Sequence, residues 1–318
     1  MKRLLWRKFL YLLGMLFLIS LISFFAIHLA PNSFLSVGEL NPNITKETLE
    51  HLKEIYGLDK PLWQQYVGWL WAMLHLDFGV SFASGKPVID EIADRIGITI
   101  GINLTAMAII FGLAFLLGIR SALKSGSWFD RVVKTLSLVS FSMPSFYLAL
   151  LLIIFFSVEL GLFPLGGLHS PEPKEGVAYY LDLLWHLILP IFVVVFVGFG
   201  TLTQYIRSLT LEILKSDYIF FAKARGVEEP KIVRYFVLPN LSPPIVTMLG
   251  LSLPGIIGGS VILESIFSIN GMGLLFYQAA MARDYPVIMG ILIITAFLTL
   301  LGNILADLAL LRLNPFAR

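Results

Sequence analysis

Six separate stretches of this chain are long and apolar enough to cross a lipid bilayer, and no other feature limits its fold as strongly. Roughly 20 mostly apolar residues, in helical form, span the hydrocarbon core. The stretches run from about Phe9 to Leu29, Ile96 to Ile119, Val132 to Ser157, Leu184 to Ile206, Pro244 to Phe267 and Pro286 to Leu311. The last is slightly long and has room to tilt. The expected fold is therefore all-α, a polytopic membrane bundle of six spans. Composition agrees: 57% of the 318 residues are hydrophobic and 14% are charged, whereas a soluble domain carries about 25% charge. So few charges cannot build a water-facing shell.

The chain opens on Met1-Lys2-Arg3 and an apolar run, as a secretory signal would. That run is longer than a signal core, and no small-x-small cleavage site follows near Leu29-Ala30-Pro31, so an uncleaved first span is expected. Basic residues concentrate on one side of the spans. They are Lys2, Arg3, Arg7, Lys8, Arg120, Lys124, Arg131, Lys134, Arg207, Lys215, Lys223, Arg225, Lys231, Arg234, Arg312 and Arg318. The excess of Lys and Arg marks the cytoplasmic side. Both termini are expected there, in agreement with an even number of spans. The absence of cysteine excludes disulfides, thiolate catalysis and Cys-ligated metal. The net charge of +2 says little about partners, and no nucleic-acid partner is expected.

The expected organisation is a tail and first span at 1–30, an external loop at 31–95, five further spans at 96–311 and a tail at 312–318. In the external loop, Thr45 to Tyr56 reads as a short helix stopped by Gly57. Pro61 opens a second helical piece, Leu62 to Leu74, carrying Trp63, Tyr66, Trp69 and Trp71. Such aromatics suit the membrane–water boundary. The loop reads as a lid over the span ends or as a docking surface for an external partner, and the two are compatible.

The cytoplasmic stretch 207–242 carries the most information. Tyr218, Phe221, Ala222 and Arg225 stand at i, i+3, i+4 and i+7 and should share a helical face. Gly226 suits a left-handed stop, and Pro230 suits the first turn of a second helix, which should end at Leu238-Pro239-Asn240. The small residues Ala222, Ala224 and Gly226 would let another protein approach the bend closely. The alternative is an amphipathic helix held by lipid.

Several polar residues within the spans are candidates for a translocation pathway: Ser140, Ser145, Gln204, Ser252 and Glu264, with Asn103, Thr105, Thr201 and Thr203 beside them. Ser and Thr within helices more often bond their own backbone. Acids at membrane depth mark a pathway or a partner. Alternatively, Glu264 caps nearby backbone and Asp307 pairs with Arg312 or Arg207. Pro254-Gly255 and Gly258-Gly259 interrupt span five, and Pro144 does the same in span three; each serves packing or flexing. The five histidines show no metal-site spacing. No Gly-x-x-x-x-Gly-Lys-Ser/Thr loop and no Gly-x-Ser-x-Gly elbow is present, so no catalytic residue and no bound ATP are expected.

The stretch Asp217-Tyr-Ile-Phe-Phe-Ala-Lys-Ala-Arg-Gly226, with Leu238-Pro239 twelve residues on, resembles the EAA loop of ABC-importer permeases. Phe220 stands where that loop has its glutamate, and Phe221 replaces its first alanine. His28-Leu-Ala-Pro31, Tyr56-Gly-Leu-Asp-Lys-Pro61, Leu76-Asp-Phe-Gly-Val-Ser81, Phe141-Ser-Met-Pro-Ser-Phe146, Gly258-Gly-Ser-Val-Ile-Leu-Glu264 and Arg283-Asp-Tyr-Pro286 are similar to the dipeptide/oligopeptide/nickel branch. They resemble its first permease subunit. The resemblance implies a type I ABC-importer permease fold. It also implies a coupling helix (Tyr218, Phe221, Ala222, Ala224, Arg225 and Gly226, then Leu238 and Pro239) that docks in a cytoplasmic ATPase. The implied partners are a second homologous permease, two ATPases that bind ATP and Mg, an extracytoplasmic solute-binding protein and membrane lipid. The implied location is a bacterial or archaeal cytoplasmic membrane. Dipeptides or oligopeptides are the expected cargo, with nickel or another small solute as the alternative. A stand-alone scaffold or secondary transporter is the distant alternative.

Overall fold

The computed structural model describes residues 2–29, 60–172 and 174–313. The helix expected from Thr45 to Tyr56 lies outside them. Among the described residues, regular structure is helical apart from one isolated bridge, Val80 to Pro87. The helices are α1 Lys2–Leu29, α2 Leu62–Leu74, α3 Val88–Leu123, α4 Trp128–Ser142 and α5 Ser145–Leu152, which continues as a π-helix through Ile153–Glu159. Then come α6 Val177–Leu214, α7 Asp217–Ala224 and α8 Glu229–Ile232, which runs through a π segment, Val233–Val237, into α9 Leu238–Gly258. The last three are α10 Val261–Ile266, α11 Met272–Ala282 and α12 Tyr285–Leu313.

Among the described residues, five helices are long and apolar enough to cross a membrane, and there are six spans if one bent pair is counted as a single span. The bent pair falls at Pro144, the residue expected to interrupt the third span. Trp128–Ser142 and Ser145–Glu159 meet at 101°. The break itself comes from Pro144, which has no N–H to donate and pushes the residue before it towards extended backbone. Met143 accordingly sits at φ −88°, ψ 121°.

The fifth span also differs. The helix expected to stop at Leu238-Pro239-Asn240 instead runs on from Glu229 to Gly258. The π segment allows this: the N–H of Leu238 bonds to Val233 O, five residues back. A widened turn just ahead of Pro239 shifts the carbonyl that its ring would otherwise strike. The helix likewise passes Pro254-Gly255. It breaks only at Gly259, whose φ of 64° and ψ of −176° favour glycine. Ser260 then caps α10, accepting from the N–H of Leu263.

The chain forms two compact units. The first comprises Met1–Gly97 and Gly271–Gly302, the second Ile98–Asn270 and Asn303–Arg318. In the first, a short hairpin closes through Ser81 N–H to Lys86 O (2.8 Å) and Val88 N–H to Gly79 O (3.0 Å). Buried Asp284 holds it, accepting from Ser81 Oγ at 2.6 Å and Ala83 N at 3.0 Å. Phe78, Val88 and Ile92 pack on Met272, Leu275 and Ala279 of α11 and on Val287, Ile291 and Ile293 of α12. Gly290 lets α12 close here, since a Cβ would stand 2.7 Å from Val88 Cγ1.

In the second unit, α4 packs on α6 at Gly200. A Cβ at that glycine would lie 2.5 Å from Ser137 O and 2.6 Å from Ser140 Oγ. Gly200→Val is therefore expected to cost about 1–3 kcal/mol by overpacking. A lowered thermal midpoint of the purified protein would register this cost; an unchanged midpoint would mean the helices do not meet there. On the same unit, Asp182 fastens the loop before α6, accepting from Ser170 N and Ser170 Oγ at 2.7 Å each and from Lys174. His186 Nδ1 lies 2.8 Å from Asp182 O.

Candidate functional site

The cytoplasmic bend is built as an anchored projection. Asp217 in the first turn of α7 complements the positive end of the helix dipole. At the other end Gly226 takes φ +76°. Its N–H bonds to Lys223 O at 2.9 Å, and that of Val227 bonds to Ala222 O at 3.1 Å. This pair of reverse bonds is the Schellman stop that the sequence position of Gly226 led us to expect.

The inner side of α7 buries Ala222 and places Ile219 in a core with Ala114, Ile119, Leu202, Ile206, Ile232, Val237 and Leu241. Those residues come from α3, α6, α8, α9 and the π segment, so α7 cannot shift without pressing on long helices. The outer side exposes Tyr218, Phe220 and Phe221, the last two at 69% and 62%. Their rings meet edge to face at 5.8 Å, and Tyr218 stacks on Phe236 at 6.2 Å.

The face expected from spacing is thus split. Tyr218, Phe221, Ala224, Arg225 and Gly226 are exposed, as is Pro239, while Ala222 is buried and Leu238 is half-buried against the α7 core. Phe220 is the most exposed of the three rings, and the sequence reading passed over it. The signal was present: with Ile219 and Ala222 turned inward, helical period puts position 220 outside.

A second anchor lies next to this core. The guanidinium of Arg207 grips fully buried Asp130 with Nε at 2.7 Å from Oδ1 and an Nη at 2.9 Å from Oδ2. Ser121 Oγ donates to Oδ1 at 2.6 Å and Gly126 N–H to Oδ2 at 2.9 Å. Lys134 is 3.6 Å away. This joins the ends of α3, α4 and α6. Arg207, one of two partners expected for Asp307, is committed to Asp130.

Above these anchors a cleft of about 290 Å³ opens between α3, α6 and α9. Its walls are Asn103, Met107, Ile110 and Phe111; Val194, Gly198, Thr201 and Leu202; and Met248, Ser252, Gly255 and Ile256. No wall residue is charged. Asn103 Nδ2 donates to Ile256 O at 3.0 Å, and Ser252 Oγ donates to Met248 O at 2.8 Å. Of the pathway candidates, the cleft gathers Ser252, with Asn103 and Thr201. Ser140 is buried away from it, donating to Phe196 O and Val197 O on α6. Ser145 sits half-buried in the first turn of α5. Gln204 is half-buried, and its Nε2 is buried with no hydrogen-bond partner. Glu264 is buried at the α9–α10 break, accepting from Ser260 N at 3.3 Å and Thr99 Oγ1 at 3.4 Å. Among the described residues, no group of three or more His, Cys, Asp or Glu could hold a metal ion.

Residues 114–318 match the family described as Binding-protein-dependent transport system inner membrane component. The chain belongs to this family. It is an ABC-importer permease, a non-catalytic multi-pass subunit of the inner membrane. Residues 1–103 match the companion description, Binding-prot-dependent transport system membrane comp, N-term. The permease is 35% identical over 298 residues to the oligopeptide transport system permease protein AppB of Bacillus subtilis (strain 168), covering 93% of each chain. It is 35% identical over 307 residues to a putative peptide transport system permease protein of Brucella abortus (strain 2308), covering 95% of this chain and 94% of that one. It is 31% identical over 318 residues to the dipeptide transport system permease protein DppB of Escherichia coli (strain K12), covering 94% of each. The expected branch is therefore the one found. Among solved structures, a chain of the inward-facing MetNI methionine ABC transporter shares the fold. It has a TM-score of 0.50 and 16% identity, covering 71% of this chain and 97% of that one.

Proposed function

We propose that this permease forms the passage of a peptide importer together with a second, homologous permease, and that its α7 outer face docks in a cytoplasmic ATPase. The observation that carries the docking reading is the pair of exposed rings, Phe220 and Phe221, on a helix anchored from behind by Ile219 and Ala222. Burying a phenylalanine recovers roughly 1.5–3 kcal/mol, and a groove on a partner supplies that burial. Tyr218, Arg225 and Gly226 frame the rings, Ala224 allows close approach, and Pro239 is exposed on the following helix.

The motion follows from the anchoring. Two ATPases close on ATP and Mg and draw their coupling helices together. Because α7 is embedded in α3, α6 and α9, its displacement turns those helices as a body, a two-state change biased by nucleotide. The cleft they enclose faces outward in one state and inward in the other, and hydrolysis resets it. Its uncharged wall, with amide and hydroxyl groups at Asn103, Thr201 and Ser252, suits peptide groups. The peptide names of the relatives support that cargo. An external binding protein delivers it. The Lys and Arg excess supports cytoplasmic termini, with 31–95 outside and 207–242 inside.

The test is affinity purification in mild detergent, followed by mass spectrometry. The expected partners are a second permease and chains bearing phosphate loops. Phe221→Asp should retain the permease and lose the ATPases, since an exposed substitution leaves the chain's own stability within about 0.5 kcal/mol. A chain that purifies alone, or a variant that keeps its ATPases, overturns the reading.

A further inference from the structure

The helix α2 carries no Asp, Glu, Lys or Arg along its whole length. Its inner face, Tyr66, Trp69, Leu70 and Met73, packs within its own unit. On its outer face Leu62, Trp63, Val67, Trp71 and Leu74 are all exposed, with Trp63 at 64% and Trp71 at 67%, and the helix's polar side chains, exposed Gln64 and half-buried Gln65, are confined to its first turn. A helix between the membrane surface and water shows charges on its free side, whereas one that is uncharged and apolar around most of its circumference beyond the first turn is covered by protein or by lipid.

The depth at which α2 docks decides between these. The apolar part of α1 runs from Trp6 to Phe25. The Tyr66 hydroxyl lies 2.8 Å from Ser20 Oγ, and its ring is 5.3 Å from that of Phe24 and 6.4 Å from that of Phe17. These contacts fall inside the membrane-crossing part of α1, not beyond its end. At 1.5 Å per residue, Ser20 stands about 18 Å and Phe24 about 24 Å along the helix from basic Lys8. Both distances fall short of the roughly 30 Å of a hydrocarbon core. A helix fastened at that depth has acyl chains for neighbours.

We infer that α2 is a half-membrane helix lying in the outer leaflet, with its Trp63, Val67, Trp71 and Leu74 face covered by lipid acyl chains. It is thus neither a water-facing lid nor a docking surface for the binding protein. The choice of leaflet rests on the proposed cytoplasmic N-terminus; immersion does not.

The native chain has no cysteine, so single nitroxide labels can be placed at Val67→Cys and Trp71→Cys. The full permease, with its partners, is reconstituted in phosphatidylcholine vesicles. Both labels are expected to collide readily with molecular oxygen, which concentrates in hydrocarbon, and to lose collisions with a water-soluble nickel chelate. Strong nickel collisions overturn the inference by placing the face in water. Weak collisions with both reagents overturn it by placing a protein there. Val67→Cys removes little bulk and decides the matter even if Trp71→Cys folds poorly. A membrane-impermeant maleimide applied to Lys60→Cys and Lys124→Cys reports orientation separately. External labelling at position 60 alone supports the outer leaflet. External labelling at position 124 alone overturns the leaflet choice and the proposed topology, yet leaves immersion standing.

Discussion

Gly226→Asp is expected to abolish uptake while the chain still inserts and folds. The two halves of that result have separate causes. Gly226 sits at φ +76°, where an ordinary L-residue is strained by about 1–2 kcal/mol. Aspartate is among the residues that tolerate the left-handed region. Among the described residues, a Cβ built at Gly226 meets nothing within 4 Å, so none of them opposes a side chain there. A total loss of transport must then come from what covers the bend in the working complex, where a carboxylate would be buried against the docked ATPase. Gly226→Asn separates the contributions, because it keeps the left-handed stop and adds similar bulk without charge. Its uptake should fall between that of wild type and Gly226→Asp. Uptake is measured with labelled peptide in cells, beside membrane yield and thermal midpoint. Normal uptake by well-expressed Gly226→Asp would falsify the coupling role of the bend.

Arg207→Leu is expected to cost about 3–5 kcal/mol, because it leaves a fully buried carboxylate without its bidentate partner. Asp130 would retain Ser121, the Gly126 N–H and the more distant Lys134, which places the cost near the lower end. Arg207→Lys keeps the charge but not the fork, so it should recover only part. The double variant Asp130→Leu with Arg207→Leu removes both charges and should be more stable than Arg207→Leu alone, as replacing a buried pair by apolar residues often is. Thermal unfolding of wild type, Arg207→Leu, Asp130→Leu and the double variant in one detergent gives the cycle, with Arg207→Lys measured beside them. A single variant as stable as wild type, or a double variant no better than the single, would show that the pair does not hold α4 to α6. Because this pair lies beside the α7 core, Arg207→Leu should also loosen ATPase retention.

The sequence by itself determined what depends on neighbours along the chain. Apolar length marked the helices that cross the membrane, since transfer into hydrocarbon is a sum over consecutive residues. Gly226 marked the helix stop, since a left-handed turn is a property of one residue's backbone. The family likeness, spread along nearly the whole chain, led to the permease branch.

Tertiary structure decided what depends on groups distant in sequence. Pro144 in the sequence permitted a break, but the 101° angle is a matter of packing. Pro239 looked like a stop, yet a π turn carried the helix past it. Ala222 left the expected face for the buried side, and Phe220, assigned to no face, proved exposed, while the walls that bury Ile219 come from α3, α6 and α9. Ser140 and Ser252 are alike in sequence. One donates to the backbone of a neighbouring helix and the other to its own helix at the edge of a cleft. Asp130 and Arg207 stand far apart along the chain, and neither hydropathy nor period encodes their meeting. Local free energies are additive along a chain and can be read from it. Which side chain meets which across a fold is set by all the helices together, and for this permease that choice placed the anchors and the cleft.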